Sequence, residues 1–224
     1  MMRSNKMNSF VVGLAFAATS GVAMANDVAF TMQQGGIWYT SKASTEKVEG
    51  GTEQKETTTG IETMPNSLFL QATWENISVY VYPTDNSMPL GVSYMPMKEL
   101  EVGVNIGIDQ TKADKAKTDS NTTKYGLFAT YYLAAGPGMA ELGLSFNSMT
   151  ETGKGFSDDA TPVKTNKAGT DIGLAASYVH ELGKRFSYVG GLMYNIVATD
   201  NKEGKMKSSS NNLALNLASF RYTW

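Results

Sequence analysis

One histidine stands in the 224-residue chain, His180, next to Glu181 and three residues after Ser177. A histidine with a serine and an acid is the residue set of acyl transfer, in which the imidazole takes the hydroxyl proton and the carboxylate orients the ring. The spacing works against it. In an extended chain, residues at odd separations point to opposite faces, so His180 faces away from both Ser177 and Glu181. No cysteine is present, which removes thiol nucleophiles, disulfides and thiolate zinc sites, and a lone histidine leaves little for a histidine-based metal centre. Phosphate-binding loops, dinucleotide fingerprints, calcium loops and zinc motifs are absent as well. Lys+Arg total 19 against 21 Asp+Glu, so no basic excess points to nucleic acid. The expectation is a chain that is not an enzyme, carries no metal or other cofactor, and does not bind nucleic acid.

The remaining charges with a fixed orientation are Glu101, Asp109, Lys124, Glu141, Asp171 and Glu181. Each falls on the polar side of a stretch whose hydrophobic residues recur every second position. Residues 100–109 read L-E-V-G-V-N-I-G-I-D, with Leu100, Val102, Val104, Ile106 and Ile108 on one face and Glu101, Gly103, Asn105, Gly107 and Asp109 on the other. Similar stretches cover about 122–134, 139–150, 169–182, 186–199 and 210 to the end. In the first of these, Lys124, Gly126 and Thr130 share the polar face with Phe128 and Tyr132. The face opposite the apolar one is thus mostly small and polar rather than a second hydrophobic core, which argues for a membrane β-barrel over a soluble sandwich. The six charges are then expected to line a lumen. Acid outnumbers base among them, with Arg185, Arg221 or loop lysines as candidate counter-charges; otherwise water fills the space and leaves a narrow cation-favouring path.

The connections alternate in kind. Met95–Lys98, Ala135–Gly138 and Gly183–Arg185 read as short turns, whereas 110–121, 150–167 and 199–209 read as long polar loops. Short turns at one end and long loops at the other are the pattern of a transmembrane barrel. Ahead of all this, Arg3 and Lys6 precede an apolar run from Phe10 to Ala18, and Ala23-Met24-Ala25 forms an A-x-A cleavage pattern. The expected organisation is a signal peptide over 1–25 and a barrel domain over 26–224. After residue 25 no apolar stretch is long enough for a spanning helix.

The last residues, Ser219-Phe220-Arg221-Tyr222-Thr223-Trp224, alternate aromatic and polar side chains. Here the chain resembles the small outer-membrane β-barrel proteins of Gram-negative bacteria, whose final strand has this pattern. The stretch Pro89–Tyr94, a turn, and Leu100–Val104 also looks like a hairpin of such barrels. The resemblance implies location in the Gram-negative outer membrane, contact with its lipids and lipopolysaccharide, and Phe220, Tyr222 and Trp224 as the signal read by the barrel-assembly machinery. Leu213, Leu215 and Leu217 have the opposite parity to those aromatics. Either a bulge near Ala218 resets the faces, or some leucines point inward.

Residues 28–98 offer four further strand candidates, at about 30–45, 67–75, 77–82 and 88–95, with turn chemistry at Glu75-Asn76 and Pro83–Asn86. Counting all four gives a single antiparallel all-β barrel of ten strands, with 46–65 as its first external loop; dropping two gives eight. The turns favour ten. Two roles fit such a barrel. One is structural or surface-interacting, working through loops 46–65, 110–121 and 150–167. The other is a narrow porin-like channel for ions or small solutes.

Overall fold

The computed structural model describes residues 29–63, 68–81, 89–112, 119–156, 162–203 and 205–224. The expected signal segment, the turn at Pro83–Asn86 and residues 113–118 and 157–161 lie outside the described residues. Eleven antiparallel strands form one sheet: β1 (Ala29–Val48), β2 (Gln54–Thr63), β3 (Leu68–Trp74), β4 (Ile77–Val81), β5 (Leu90–Met97), β6 (Leu100–Lys112), β7 (Asp119–Ala135), β8 (Gly138–Phe156), β9 (Pro162–Glu181), β10 (Phe186–Asn201) and β11 (Met206–Thr223). Each pairs with its chain neighbours, except that β2 and β3 both pair with β1. β3 takes Ala29–Gln34 and β2 takes Ile37–Glu46. These two therefore occupy one position in the wall, one above the other, and the wall has ten positions. β11 returns to β1 in register from Thr31↔Thr223 to Val48↔Met206, closing the barrel. Phe30 and Trp224 exchange backbone hydrogen bonds of 3.0 and 2.9 Å at the seam's lower end.

Side-chain burial is inverted relative to a soluble protein. Val104, Leu127 and Leu144 are 53, 62 and 52 % exposed, while Ser78 and Asn147 are 1 and 2 % exposed. Apolar side chains outside and polar ones inside suit a wall surrounded by hydrocarbon, where strands must close so that no backbone group goes unpaired. The chain is a transmembrane β-barrel of the outer-membrane type. Turns at Glu75-Asn76, Lys98-Glu99, Gly136-Pro137 and Leu182–Arg185 lie at one end, together with Ala29 and Thr223. At Gly136 φ is +60°, a conformation that costs glycine little.

The long polar connections are much shorter than their sequence suggests. Residues 46–65 are not a loop, since β2 lies within them as a paired strand. β6 and β7 remain paired as far as Lys112↔Asp119, β8 and β9 as far as Phe156↔Pro162, and β10 and β11 as far as Asn201↔Met206. The physical reason is that these upper halves stand outside the hydrocarbon. Neither face need be apolar there, so the alternation that marks a membrane strand vanishes while threonine-rich β propensity remains. β8 and β9 have 19 and 20 residues, against 5 in β4 and 8 in β5.

Parity changes once along β11. Val189 pairs with Ser219 and Gly191 with Asn216, so two residues, Leu217 and Ala218, oppose Gly190 alone. Leu213 and Leu217 point outward below that number, and Phe220 and Tyr222 point outward above it. The bulge near Ala218 resets the faces, and Asn216 Nδ2 bridges it to Ser219 Oγ at 2.5 Å.

Candidate functional site

The β8–β9 register sets the order of inward-facing pairs from the turn end upward: Met139 with Val179, Glu141 with Ser177, Gly143 with Ala175, Ser145 with Gly173, Asn147 with Asp171. Each pair belongs to a layer across the lumen. Tyr132, Val179 and Val189, packed by Met95 and Met139, fill the lowest layer. Charges occupy the next. Above them Ala175, Met193 and Ala214 pack against Trp38, and the rings of Phe69, Tyr80 and Phe128 follow one another at centroid spacings of 6.0 and 5.7 Å. Buried Asn147, Asp171, Asn195 and Asn212 form a polar layer above these.

Glycines on neighbouring strands make room for these rings. A Cβ at Gly91 would lie 1.9 Å from the Tyr80 ring, and one at Gly103 would lie 2.4 Å from Phe128 and 2.7 Å from the Val92 carbonyl oxygen. Of the alternating glycines of 100–109, Gly103 thus serves packing inside the barrel, whereas a Cβ at Gly107 would meet only Pro89, at 3.5 Å.

The charged layer is held by a chain of bonds. Arg221 donates from Nη1 to Glu141 Oε1 at 2.9 Å and from Nη2 to Oε2 at 3.4 Å. Its Nε and Nη2 also reach Gln33 Oε1 at 3.2 and 3.1 Å. Ser177 donates to Glu141 Oε2 at 2.9 Å, and Glu101 accepts from the hydroxyls of Ser93 and Tyr132. Glu101 and Glu141 are 0 % exposed and Arg221 is 3 % exposed. A buried charge requires this kind of partnering, because a lone one costs several kcal/mol (a general magnitude, on the order of that for one ion).

The residues expected in the lumen separate on inspection. Glu101, Glu141 and Asp171 are buried inside, and Lys124 is half-buried on β7. Glu181 is exposed at the turn end of β9, where the wall stops, and the side chain of Asp109 lies outside the described residues. Of the candidate counter-charges, Arg221 takes the role. Gln33, which bonds to Arg221, and Ser93 and Tyr132, which bond to Glu101, carried no mark in the sequence beyond their parity, and Trp38 turns inward only because β1 shifts register between Gln34 and Trp38. His180 stacks on Tyr178 at 6.2 Å, and the Ser177 hydroxyl is committed to Glu141. The acyl-transfer set is not brought together. Phe220, Tyr222 and Trp224 all face outward, with Phe186 stacked on Phe220 at 5.3 Å and Phe30 on Trp224 at 6.0 Å. They belong to an aromatic band at the turn end that also includes Trp74 and Tyr94, as interfacial rings do.

No protein-family model matches the chain, and no curated protein matches it. Solved structures are similar to it in outline. Against the outer membrane protease OmpT from Escherichia coli the identity is 9 %, covering 92 % of this chain and 100 % of that one, with a TM-score of 0.48. Neisserial surface protein A is 14 % identical over 87 % of this chain and 97 % of its own, with a TM-score of 0.36. The outer membrane protein OprG from Pseudomonas aeruginosa is 12 % identical over 89 and 97 %, also at 0.36. At these values none of them bears on what the chain does.

Proposed function

We propose that this chain is a non-enzymatic barrel of the Gram-negative outer membrane, closed through its lumen, whose working surface is the polar strand wall raised above the lipid. The observation that supports a closed lumen is the absence of exposure at Glu101, Glu141 and Arg221. A path wide enough for water would leave part of those polar groups accessible. Apolar layers above and below the charges add a desolvation barrier to any ion. The same barrier weighs against the reading as a cation-favouring channel, and the separation of His180 from Ser177 and Glu181 weighs against an acyl-transfer enzyme.

The surface available for interaction is the upper part of β1, β2 and β7 to β11, rich in Thr, Ser, Lys and Glu. Its partners in this reading are lipopolysaccharide and surface ligands at the rim, membrane lipids around the apolar belt, and the barrel-assembly machinery at Phe220, Tyr222 and Trp224. Planar-bilayer recording of the refolded chain tests the central point. No steady conductance is expected. Stable single-sized cation-selective steps would replace this reading with that of a narrow channel.

A further inference from the structure

The seam that closes the barrel poses a register problem. In its upper part, Ala43-Ser44-Thr45-Glu46 face Asn211-Ser210-Ser209-Ser208. Apart from Ala43 and Glu46, short polar side chains oppose short polar side chains, so sliding one strand by two residues keeps inward and outward faces and loses little side-chain complementarity. Register is weakly specified in strands of this kind. Both strands are also irregular near the seam, β1 between Gln34 and Trp38 and β11 at Ala218. Backbone pairing alone therefore leaves the closing register poorly determined.

Arg221 has the contacts to determine it. Within the seam it sits opposite Gln33 and bonds to it through Nε and Nη2. Across the lumen it forms a two-pronged pair with Glu141 of β8. In a flat sheet β8 and β11 stand three strand spacings apart, about 14 Å, which leaning side chains do not readily span. Only the curvature of the closed barrel brings them to 2.9 Å. One contact thus depends on the curvature of the wall and the other on the register of the seam. We propose that Arg221, with Glu141 and Gln33, is the latch that selects the register in which the first and last strands join. A two-residue slip moves Gln33 about 7 Å along the seam from Arg221, leaving a buried guanidinium short of bonds.

Buried ion pairs add little net stability compared with apolar replacements, and their best-attested service is to fix register. That separates two readouts. Because the chain has no cysteine, introduced pairs report the seam directly. Thr45→Cys with Ser209→Cys marks the native register, and Thr45→Cys with Lys207→Cys or Asn211→Cys marks slips of two residues, since a disulfide needs Cα atoms within roughly 7 Å. Each pair is placed in the full chain, refolded from urea into phosphatidylcholine vesicles and oxidised.

In the parent, the native pair is expected to cross-link at least tenfold more than either slipped pair. In Arg221→Met/Glu141→Gln, which removes both charges together, refolding yield should stay within twofold while slipped cross-links rise at least threefold. Gln33→Ala should move the pattern the same way to a smaller extent. A parent-like cross-linking pattern in the double variant overturns the proposal. If the double variant does not refold, Gln33→Ala decides, because it keeps the ion pair and breaks only the seam contact; an unchanged pattern there overturns it equally.

Discussion

Phe128 fills the space that a side chain at 103 would need, and the backbone oxygen of Val92 closes the other side. Gly103→Val therefore has no room, and overpacking of a tight interior costs roughly 1–3 kcal/mol. The urea midpoint of the refolded barrel should fall accordingly. Gly60→Val is the matching control: nothing lies within 4 Å of a Cβ there, so the midpoint should hold. On the outer face, Leu144 is 52 % exposed amid the apolar belt. Leu144→Arg should cost about 2–4 kcal/mol, the general penalty for a cation near the bilayer midplane, in the same unfolding measurement. An unaltered midpoint would mean that Leu144 does not face lipid. Both sites could be read from the alternation in L-E-V-G-V-N-I-G-I-D and E-L-G-L-S-F. What the alternation left unread was which inward residues touch, since Arg221 meets Glu141 across the lumen, 80 positions away.

Strands differed in how plainly they announced themselves, and the reason is which medium surrounds each face. β6 alternates because one face meets lipid and the other a packed lumen. β2, Q-K-E-T-T-T-G-I-E-T, is exposed on both faces over most of its length and reads as a loop. The upper parts of β7 to β11 likewise stay paired through stretches rich in Thr, Ser, Asn and Lys that read as loops. The bulge in β11 was legible only as a clash of parity between the leucines and the terminal aromatics, and it supplies a test of its own. Deleting Ala218 should restore a uniform period and turn either Leu213–Leu217 or Phe220–Trp224 inward. Assembly yield, followed by the mobility difference between boiled and unboiled samples, should collapse. Deleting Lys202, one residue of the exposed turn between β10 and β11, should leave it nearly intact, because loop tips carry few ladder bonds. Equal yields would show that the bulge is dispensable.

At the scale of the molecule, the two ends of the barrel are unlike. Spanning the hydrocarbon takes about 9–11 tilted residues, so β8 and β9, with 19 and 20, project about as far beyond the membrane as they run within it. All of that excess lies at the end opposite the tight turns and the seam residues Phe30 and Trp224. In barrels of the outer-membrane type the short turns face the periplasm and the taller end faces outside. An epitope inserted at Gly50, in the exposed turn between β1 and β2, or at Glu203, between β10 and β11, should then be detected on intact cells. The same epitope at Pro137 or Lys184 should be detected only after the outer membrane is permeabilised. Thr165 is a poor insertion point despite its polar surroundings, because it pairs with Gly153 inside the β8–β9 ladder. The protein itself should fractionate with the outer membrane. Accessibility of Pro137 and Lys184 on intact cells, with Gly50 and Glu203 shielded, would invert the barrel and place its tall polar wall in the periplasm, where it could not meet a surface ligand.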